Sequence, residues 1–345
     1  MTIRVREGID NLQIYEVGGR ADLSSDWECF DWNESEFPPT NKVFDTIKTF
    51  YKYERYPDIT ADHLKDKLAE YVSLPKDFIE VYNGSDDALK DIFTAFVDNS
   101  TTVLSYQPSY TQVNTFITTN TEHYKKVNIV DPLGKHEYHF GHCENADVVY
   151  LVNPNNPTGN MISQESIEVL VSSFPHVLFV VDEAYYEFAK ESCAQLVISH
   201  KNLIVTRTFS KAFGLASLRL GYIMGHPDLL VGLRKMRNGK AVNSLAQLCG
   251  IAALDDLDYL NDRIEEMNDS KEFFVNNLPS GYFAPQSFTN FVLLKTPDSK
   301  KLLRKMKKNK ILIRDRSSFD NLENCVRITI GSKKQIIRVL DVIYA

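Results

Sequence analysis

Short runs of consecutive hydrophobic residues recur along the first two thirds of the chain. They lack the polar alternation of a half-exposed strand, and we therefore predict strands buried on both faces at Thr102–Ser105, Val148–Val152, Val177–Val181, Leu203–Val205 and Gly221–Met224. Hydrophobic residues at helical spacing lie between some of these runs, in Asp87–Val97 and Glu165–Ser173. This alternation of strands and helices predicts an α/β fold with a mostly parallel sheet.

The pattern changes after Pro227. Amphipathic helical stretches continue to about Asn276, and two strand-like runs follow at Asn290–Leu294 and Cys325–Ile330. A lysine-rich helix separates these runs, and Lys333–Ile343 is again helical in pattern. This part of the chain therefore predicts a smaller α+β domain.

Length and charge narrow the class of protein. A chain of 345 residues exceeds the usual size of one domain, and we predict a large domain over 30–235 and a small domain formed by 1–29 and 236–345. The net charge of −7 argues against broad nucleic-acid or membrane-surface binding. No signal-peptide pattern or membrane-spanning run stands out, and the five cysteines are far apart in sequence. We therefore expect a cytoplasmic protein with reduced thiols.

Polar side chains follow three of the predicted strands, where α/β sheets bind their ligands. Asp182 ends one strand, Lys211 and Arg219 follow the next, and the turn-forming segment NPNNPTGN occupies 153–160. Each has an ordinary explanation alone, such as a helix cap for the acid or surface exposure for the lysine. Together they supply what pyridoxal 5′-phosphate (PLP) requires, namely an amine, a carboxylate for the ring nitrogen, and a cation with hydroxyls for the phosphate.

Six motifs in a fixed order resemble the fold-type-I PLP-dependent aminotransferases, and within them the histidinol-phosphate aminotransferase branch. The motifs are RYPD (55–58), NGSDDALK (83–90), NPNNPTG (153–159), DEAYYEF (182–188), TRTFSKAFGLASLRLG (206–221) and VRITIG (326–331). The resemblance extends over nearly the whole chain. It implies a large domain built on a mostly parallel seven-stranded sheet, a smaller α+β domain, and PLP as the cofactor.

The resemblance assigns roles around the cofactor ring. It implies that Lys211 forms a Schiff base with PLP and then moves a proton between the substrate α-carbon and the cofactor. Asp182 would pair with the pyridine nitrogen, while Tyr185 and Asn156 would hydrogen-bond the 3′-oxygen. Tyr110 would stack on the ring face.

The cofactor phosphate has its own set of residues under the same resemblance. Thr208, Ser210 and Arg219 would hold it. Backbone N–H groups of Ser85 and Asp86 would join them, because these residues open a helix and a helix N-terminus binds anions. An ordinary helix cap is the alternative explanation of this segment.

The substrate and the subunit arrangement complete the implied site. Arg327, Arg314 and Asn156 would bind the substrate, whose anionic end is assigned to Arg327 because an arginine in an apolar strand is costly unless it is paired. Tyr15 would close over the substrate. Tyr56 would reach the phosphate of the partner subunit's cofactor, which implies a homodimer with shared active sites; a buried core tyrosine is the alternative.

Two segments depart from the family pattern near the substrate, NESE (33–36) and MRNGKAVN (236–243). The substrate is therefore less defined than the cofactor. A further segment, HEYHFGHC (136–143), has three histidines and a cysteine, but we expect surface histidines there and no metal site.

Three functions remain open at this point. An aminotransferase would exchange an amino group between glutamate, with release of 2-oxoglutarate, and a small phosphorylated carbonyl compound such as imidazole acetol phosphate. A decarboxylase of phosphorylated amino acids would use the same lysine and cofactor, because the reaction depends on which bond of the substrate α-carbon stands perpendicular to the ring. A non-catalytic regulator on this fold is the least favoured, because the chain leaves no room for a DNA-binding domain.

Overall fold

The structure, a computed structural model, describes residues 9, 12 and 26–345 of the chain. The strands are β1 Glu28–Cys29, β2 Ile79–Tyr82, β3 Val103–Gln107, β4 Tyr124–Asn128, β5 Val148–Val152, β6 Leu178–Asp182, β7 Leu203–Thr208, β8 Gly221–Gly225, β9 Phe291–Lys295, β10 Ile311–Leu312, β11 Arg314–Asp315 and β12 Cys325–Thr329. The α-helices are α1 Asn41–Thr49, α2 Asp62–Val72, α3 Ser85–Phe96, α4 Gln112–Thr118, α5 Gln164–Ser173, α6 Tyr186–Ala189, α7 Pro227–Met236, α8 Ser244–Leu254, α9 Leu257–Asn276, α10 Ser299–Lys308 and α11 Lys333–Tyr344. Short 3₁₀ helices lie at Lys76–Phe78, Phe140–Asn145, Ala194–Ile198 and Ala216–Leu218.

A seven-stranded sheet forms the centre of the molecule, in the order β2-β8-β7-β6-β5-β3-β4. Only β8 runs opposite to its neighbours, and the other pairings are parallel. The predicted α/β fold with a mostly parallel seven-stranded sheet is therefore confirmed. Because Asp182 lies opposite Val152 on one side and Thr206 on the other, the loops that follow β5, β6 and β7 meet at one edge of the sheet.

Both faces of this sheet are covered, which explains why its strands lack polar alternation. In β6, Phe179 and Val181 belong to the apolar cluster on one face, and Val180 belongs to the cluster on the other. All three side chains are fully buried. Burial of a side chain of this size contributes about 1.5–3 kcal/mol, so the two layers fix the position of the strand ends.

A second, antiparallel sheet has the order β11-β12-β9 and packs on an apolar core of its own. Helices α9, α10 and α11 contribute Met267, Leu302 and Ile336 to that core, and Phe30 joins it from the N-terminal part. Helix α8 instead packs with the first core. The division into domains at 29/30 and 235/236 stays a prediction.

Two further findings concern the class of protein. In the part of the chain that the structure describes, no helix is long and apolar enough to cross a membrane. Cys143, Cys193, Cys249 and Cys325 are buried thiols that form no disulfide.

Candidate active site

Lys211 lies in the loop between β7 and β8, whose base is closed by a hydrogen bond from the Phe209 N–H to the Leu220 carbonyl at 2.9 Å. Its Nζ donates to the Trp32 carbonyl at 3.0 Å and faces a cavity of about 210 Å³. Burial, together with the positive charge of Arg327, lowers the pKa of the Lys211 amine to about 8. A larger fraction of the amine is therefore neutral near pH 7.5, as a nucleophilic lysine requires.

Asp182 ends β6 and is almost fully buried at the same cavity. Its carboxylate accepts hydrogen bonds from the Tyr150 hydroxyl at 2.9 Å, the Thr206 hydroxyl at 3.0 Å and the Ala184 N–H at 3.2 Å. Burial raises the pKa of Asp182 to about 6, although the bonds from Tyr150 and Thr206 oppose the shift. A buried carboxyl of this kind gains from a cationic partner in the cavity.

Tyr185 and Arg327 are connected through one amide side chain. Asn156 donates from Nδ2 to the Tyr185 hydroxyl at 3.3 Å and accepts at Oδ1 from Arg327 Nη1 at 2.6 Å. Asn33 also donates to the Tyr185 hydroxyl, at 2.8 Å, and Arg327 Nη2 donates to the Asp31 carbonyl at 2.5 Å. These bonds fix the orientation of the phenol and the guanidinium before any ligand binds.

The start of helix α3 forms a cradle that depends on two glycines. Gly84 precedes Ser85 with a φ of +85°, and a Cβ on Gly84 would lie 2.6 Å from Nη2 of Arg219. A Cβ on Gly221 would lie 2.5 Å from the Ser85 nitrogen. The missing side chains let the helix N-terminus and the guanidinium approach one another, which is a suitable arrangement for a phosphate.

Hydroxyls and an acid surround this cradle. Arg219 Nη1 donates to the Ser210 hydroxyl at 3.2 Å, and the Ser210 N–H donates to the Thr208 hydroxyl at 3.1 Å. Asp86 lies 3.4 Å from Arg219 Nη2 and accepts from the Tyr110 hydroxyl at 2.9 Å. The cluster can therefore offer a guanidinium, several hydroxyls and helix N–H groups to one anion.

Part of the cavity lining, called the arginine wall below, consists of Arg314 and Arg327 from the smaller sheet and Arg316 just after it. Strand β11 pairs with β12 so that Arg314 lies directly opposite Arg327. Arg316 follows β11, and its N–H donates to the Cys325 carbonyl at 3.0 Å, which continues the pairing. All three arginines line the cavity.

Most of the site residues expected from the sequence line this one cavity. They are Ser85, Asp86, Tyr110, Asn156, Asp182, Tyr185, Thr208, Ser210, Lys211, Arg219, Arg314 and Arg327. Tyr56 does not line it; that side chain is 78% exposed, which excludes a buried core position, and it contacts Lys240. Tyr15 lies outside the described residues.

Several residues of the site were missed in the sequence. They are Asp31, Trp32, Ser109, Arg316 and Phe319 in the cavity lining, and Tyr150 and Thr206 beneath Asp182, whereas Asn33 belongs to the segment 33–36 that was expected near the substrate. Arg316 stands two positions after Arg314, so the alternation of side chains along a strand was the available signal.

The segment 136–143 lies away from this cavity. Within the described ranges, no group of three or more His, Cys, Asp or Glu residues could hold a metal ion. Cys143 is buried, and its sulfur lies 3.5 Å from the Tyr106 hydroxyl.

Comparisons with known proteins agree with this geometry. The family model for aminotransferases of class I and II matches residues 22–343. A dihydroxyacetone phosphate transaminase of Campylobacter jejuni is 36% identical over 324 residues, which cover 90% of this chain and 88% of that protein.

Two solved structures share the fold over almost their whole length. The histidinol-phosphate aminotransferase from Sinorhizobium meliloti in complex with pyridoxal-5′-phosphate has a TM-score of 0.87 at 26% identity, covering 99% of this chain and 97% of that one. The L-threonine-O-3-phosphate decarboxylase from Porphyromonas gingivalis has a TM-score of 0.79 at 25% identity, covering 92% and 98%. The names of all three proteins contain a small phosphorylated compound.

Proposed function

The chain belongs to the class I and II aminotransferase family, as its motifs indicated, and from this premise we propose that it transfers an amino group between glutamate and a small phosphorylated carbonyl compound with PLP as cofactor. One observation carries the proposal: Lys211, Asp182 and the α3 cradle face a single cavity that Arg314, Arg316 and Arg327 also line. The first three features suit the cofactor, and the arginines suit an anionic substrate.

The residues of the cavity fit PLP in both charge and space. A Cβ on Gly221 would collide with the Ser85 nitrogen, and one on Gly84 would crowd the Arg219 guanidinium, so the two glycines keep both groups accessible to a phosphate. Lys211 would bind the cofactor through its amino group, and Asp182 would pair with the ring nitrogen. PLP, when bound, supplies an electron sink that stabilises negative charge at the substrate α-carbon.

The chain's own residues would position the reactants and move the proton. Tyr150 and Thr206 hold the Asp182 carboxylate in place. Tyr185 and Asn156 would donate hydrogen bonds to the cofactor's 3′-oxygen. Lys211 Nζ would remove the proton from the substrate α-carbon as a general base and deliver it to the C4′ carbon of the cofactor as a general acid.

Arg314 and Arg327 would bind the anionic end of the substrate. Their opposed positions on β11 and β12 bring two guanidinium groups into one wall. A phosphorylated carbonyl compound is supported by the dihydroxyacetone phosphate transaminase and by the histidinol-phosphate aminotransferase among the relatives. Glutamate as the amino donor belongs to the same proposal.

An exposed aromatic segment supports a homodimer. Tyr51, Tyr53 and Tyr56 are 75%, 71% and 78% exposed, and Phe44 and Ile59 add apolar surface nearby in sequence. Large apolar groups concentrated on a surface indicate an interaction site. We propose that a second copy of the chain covers this segment and that Tyr56 reaches the cofactor phosphate of the partner's site.

We also propose a cytoplasmic location, because Cys143, Cys193, Cys249 and Cys325 are buried thiols that form no disulfide.

A decarboxylase of a phosphorylated amino acid is the second candidate. The structural similarity to a threonine-phosphate decarboxylase supports it. Its reaction needs the same lysine and cofactor, and the placement of the substrate carboxylate decides which bond breaks.

A single-turnover reaction with L-glutamate separates the two candidates. The absorption band of the lysine-bound cofactor should convert to that of pyridoxamine phosphate, with one 2-oxoglutarate released for each site. A Lys211→Ala variant is the control and should not convert. If the wild-type protein does not convert with glutamate but releases carbon dioxide from phosphoserine or phosphothreonine, the decarboxylase replaces the aminotransferase.

A further inference from the structure

We propose that Arg316 determines substrate specificity, by selecting a doubly charged phosphate group over a carboxylate at the arginine wall. The inference rests on the proposed function, because it assigns the substrate's anionic end to this wall. It adds a third guanidinium to the two that the sequence motifs indicated.

The strand geometry places Arg316 with the other two arginines. Side chains alternate between the faces of a strand, so Arg316 shares the face of Arg314, while Asp315 between them is on the other face and exposed. Arg327 is directly opposite Arg314 in the antiparallel pair and therefore points to the same side. The three guanidinium groups thus reach one volume.

Electrostatic interactions place Arg316 close to the reaction centre. Burial raises the pKa of the Tyr185 hydroxyl, and the positive charges of Arg327 and Arg316 act in the opposite direction. The guanidinium of Arg316 also lies 5.9 Å from the ring centre of Phe319, which lines the same cavity. Arg316 is half-buried, so its charge acts where solvent screening is reduced.

The charge balance of the cavity favours a dianion. Its described lining has five cationic side chains and three acidic ones. One cation, Arg219, is close to Asp86 at the cradle. The other cations of the described lining are Lys211 and the three residues of the arginine wall, and its other acids are Asp31 and Asp182.

A phosphate monoester matches this wall better than a carboxylate does. Its second pKa is about 6, so it carries close to two negative charges at neutral pH and offers three acceptor oxygens. A carboxylate carries one charge on two oxygens, which a single arginine satisfies in a bidentate pair. The third arginine should therefore strengthen binding of a phosphate much more than binding of a carboxylate.

Equilibrium titration of the holoenzyme with two unreactive ligands tests this difference. Glycerol 3-phosphate probes the phosphate, and butyrate probes a single carboxylate. We expect Arg316→Gln to weaken binding of glycerol 3-phosphate roughly tenfold to a hundredfold and binding of butyrate less than about threefold. Arg316→Lys should recover part of the loss, because it keeps the charge without the fork.

Two controls make the result specific. Arg304→Gln removes an exposed arginine from α10 and should leave both affinities unchanged. For the wild-type protein, affinity for glycerol 3-phosphate should rise between pH 5 and pH 7.5 as the phosphate loses its second proton at about pH 6. The Arg316→Gln variant should show a smaller rise, which a purely structural role for Arg316 would not produce.

Three outcomes would overturn the inference: no binding of glycerol 3-phosphate to the wild-type protein, no loss in Arg316→Gln, or an equal loss for both ligands. All three outcomes are measured by binding and do not depend on turnover. Failure of the wild-type protein to convert L-glutamate would contradict the proposed aminotransferase. The affinity for the phosphate ligand relative to the carboxylate ligand would still decide the role of Arg316.

Discussion

The buried carboxyl of Asp182 makes the stability of the cofactor-free protein depend on pH. Its pKa is about 6 in the folded protein, against an ordinary value of 3.8, because burial disfavours the charged form. The folded protein therefore binds more protons at this group than the unfolded chain does between those two values. The contribution of Asp182 to the free energy of unfolding is therefore fully present below pH 3.8 and is lost as the pH rises through 6.

The size of the effect follows from the shift. One pKa unit corresponds to 1.36 kcal/mol, so a shift of about two units costs the folded protein roughly 3 kcal/mol once Asp182 is ionised. About half of this cost develops between pH 5 and pH 8. Glu36 and Glu187 also have pKa values raised to about 7 by burial and act with the same sign. The test must therefore compare a variant with the wild-type protein.

The Asp182→Asn variant cannot ionise and removes this one contribution. We expect its free energy of unfolding, relative to the wild-type protein, to rise by about 1–2 kcal/mol between pH 5 and pH 8. Urea unfolding of the cofactor-free proteins measures this difference. Asp269→Asn, on the exposed face of α9, is the matched control for the loss of one carboxyl outside the cavity, and the Asp182→Asn difference should change more with pH than the Asp269→Asn difference. A constant difference for Asp182→Asn would refute the argument that burial raises the pKa of this carboxyl in the cofactor-free protein.

Three further predictions concern substrate, subunits and cofactor uptake. Arg327→Ala should raise the KM for the phosphorylated substrate about tenfold to a hundredfold and keep the cofactor absorbance; an unchanged KM in steady-state kinetics would contradict its role. Sedimentation should show a dimer, and Tyr56→Ala should lose PLP faster on dialysis, whereas a fully active monomer would exclude the shared site. The rate of PLP uptake by the cofactor-free protein should rise with pH and level off above pH 8, because the pKa of the Lys211 amine is about 8 and only the neutral amine reacts. A rate that does not change between pH 6 and pH 9 would contradict that assignment.

In the central sheet, the sequence predicted β3, β5, β6, β7 and β8 and missed β2 and β4. Strand β2 contains Glu80, an acid that interrupts the hydrophobic run although it is only 1% exposed. Its carboxylate is paired with Arg234 at 2.9 Å and with Arg237 at 3.0 Å, which are about 155 positions further along the chain. Strand β4 is an edge strand with exposed lysines, a common way to protect an edge from further pairing. The ion pairs of Glu80 and the edge position of β4 depend on distant parts of the chain, so the local pattern of hydrophobic residues does not reveal either strand.

Site residues that belong to sequence motifs could be predicted. Core side chains and backbone carbonyls that only the fold brings to the site could not. Lys211 and Asp182 follow predicted strands, so their positions at one sheet edge could be expected. Tyr150 lies within a hydrophobic strand and looks like an ordinary core residue, although its hydroxyl donates to Asp182. The carbonyls of Asp31 and Trp32, which accept from Arg327 and Lys211, belong to the backbone, and side-chain patterns do not encode them.

The identity of the cofactor-binding lysine tests the account most directly. Lys271 is half-buried and also has a pKa lowered to about 8 by burial, but its amine donates to the carbonyls of Ser287 and Thr289 and does not line the cavity. Borohydride reduction of the PLP-loaded protein, followed by peptide mapping, should place the cofactor on Lys211 alone. A cofactor on Lys271, or a protein that cannot be loaded with PLP, would contradict the central claim.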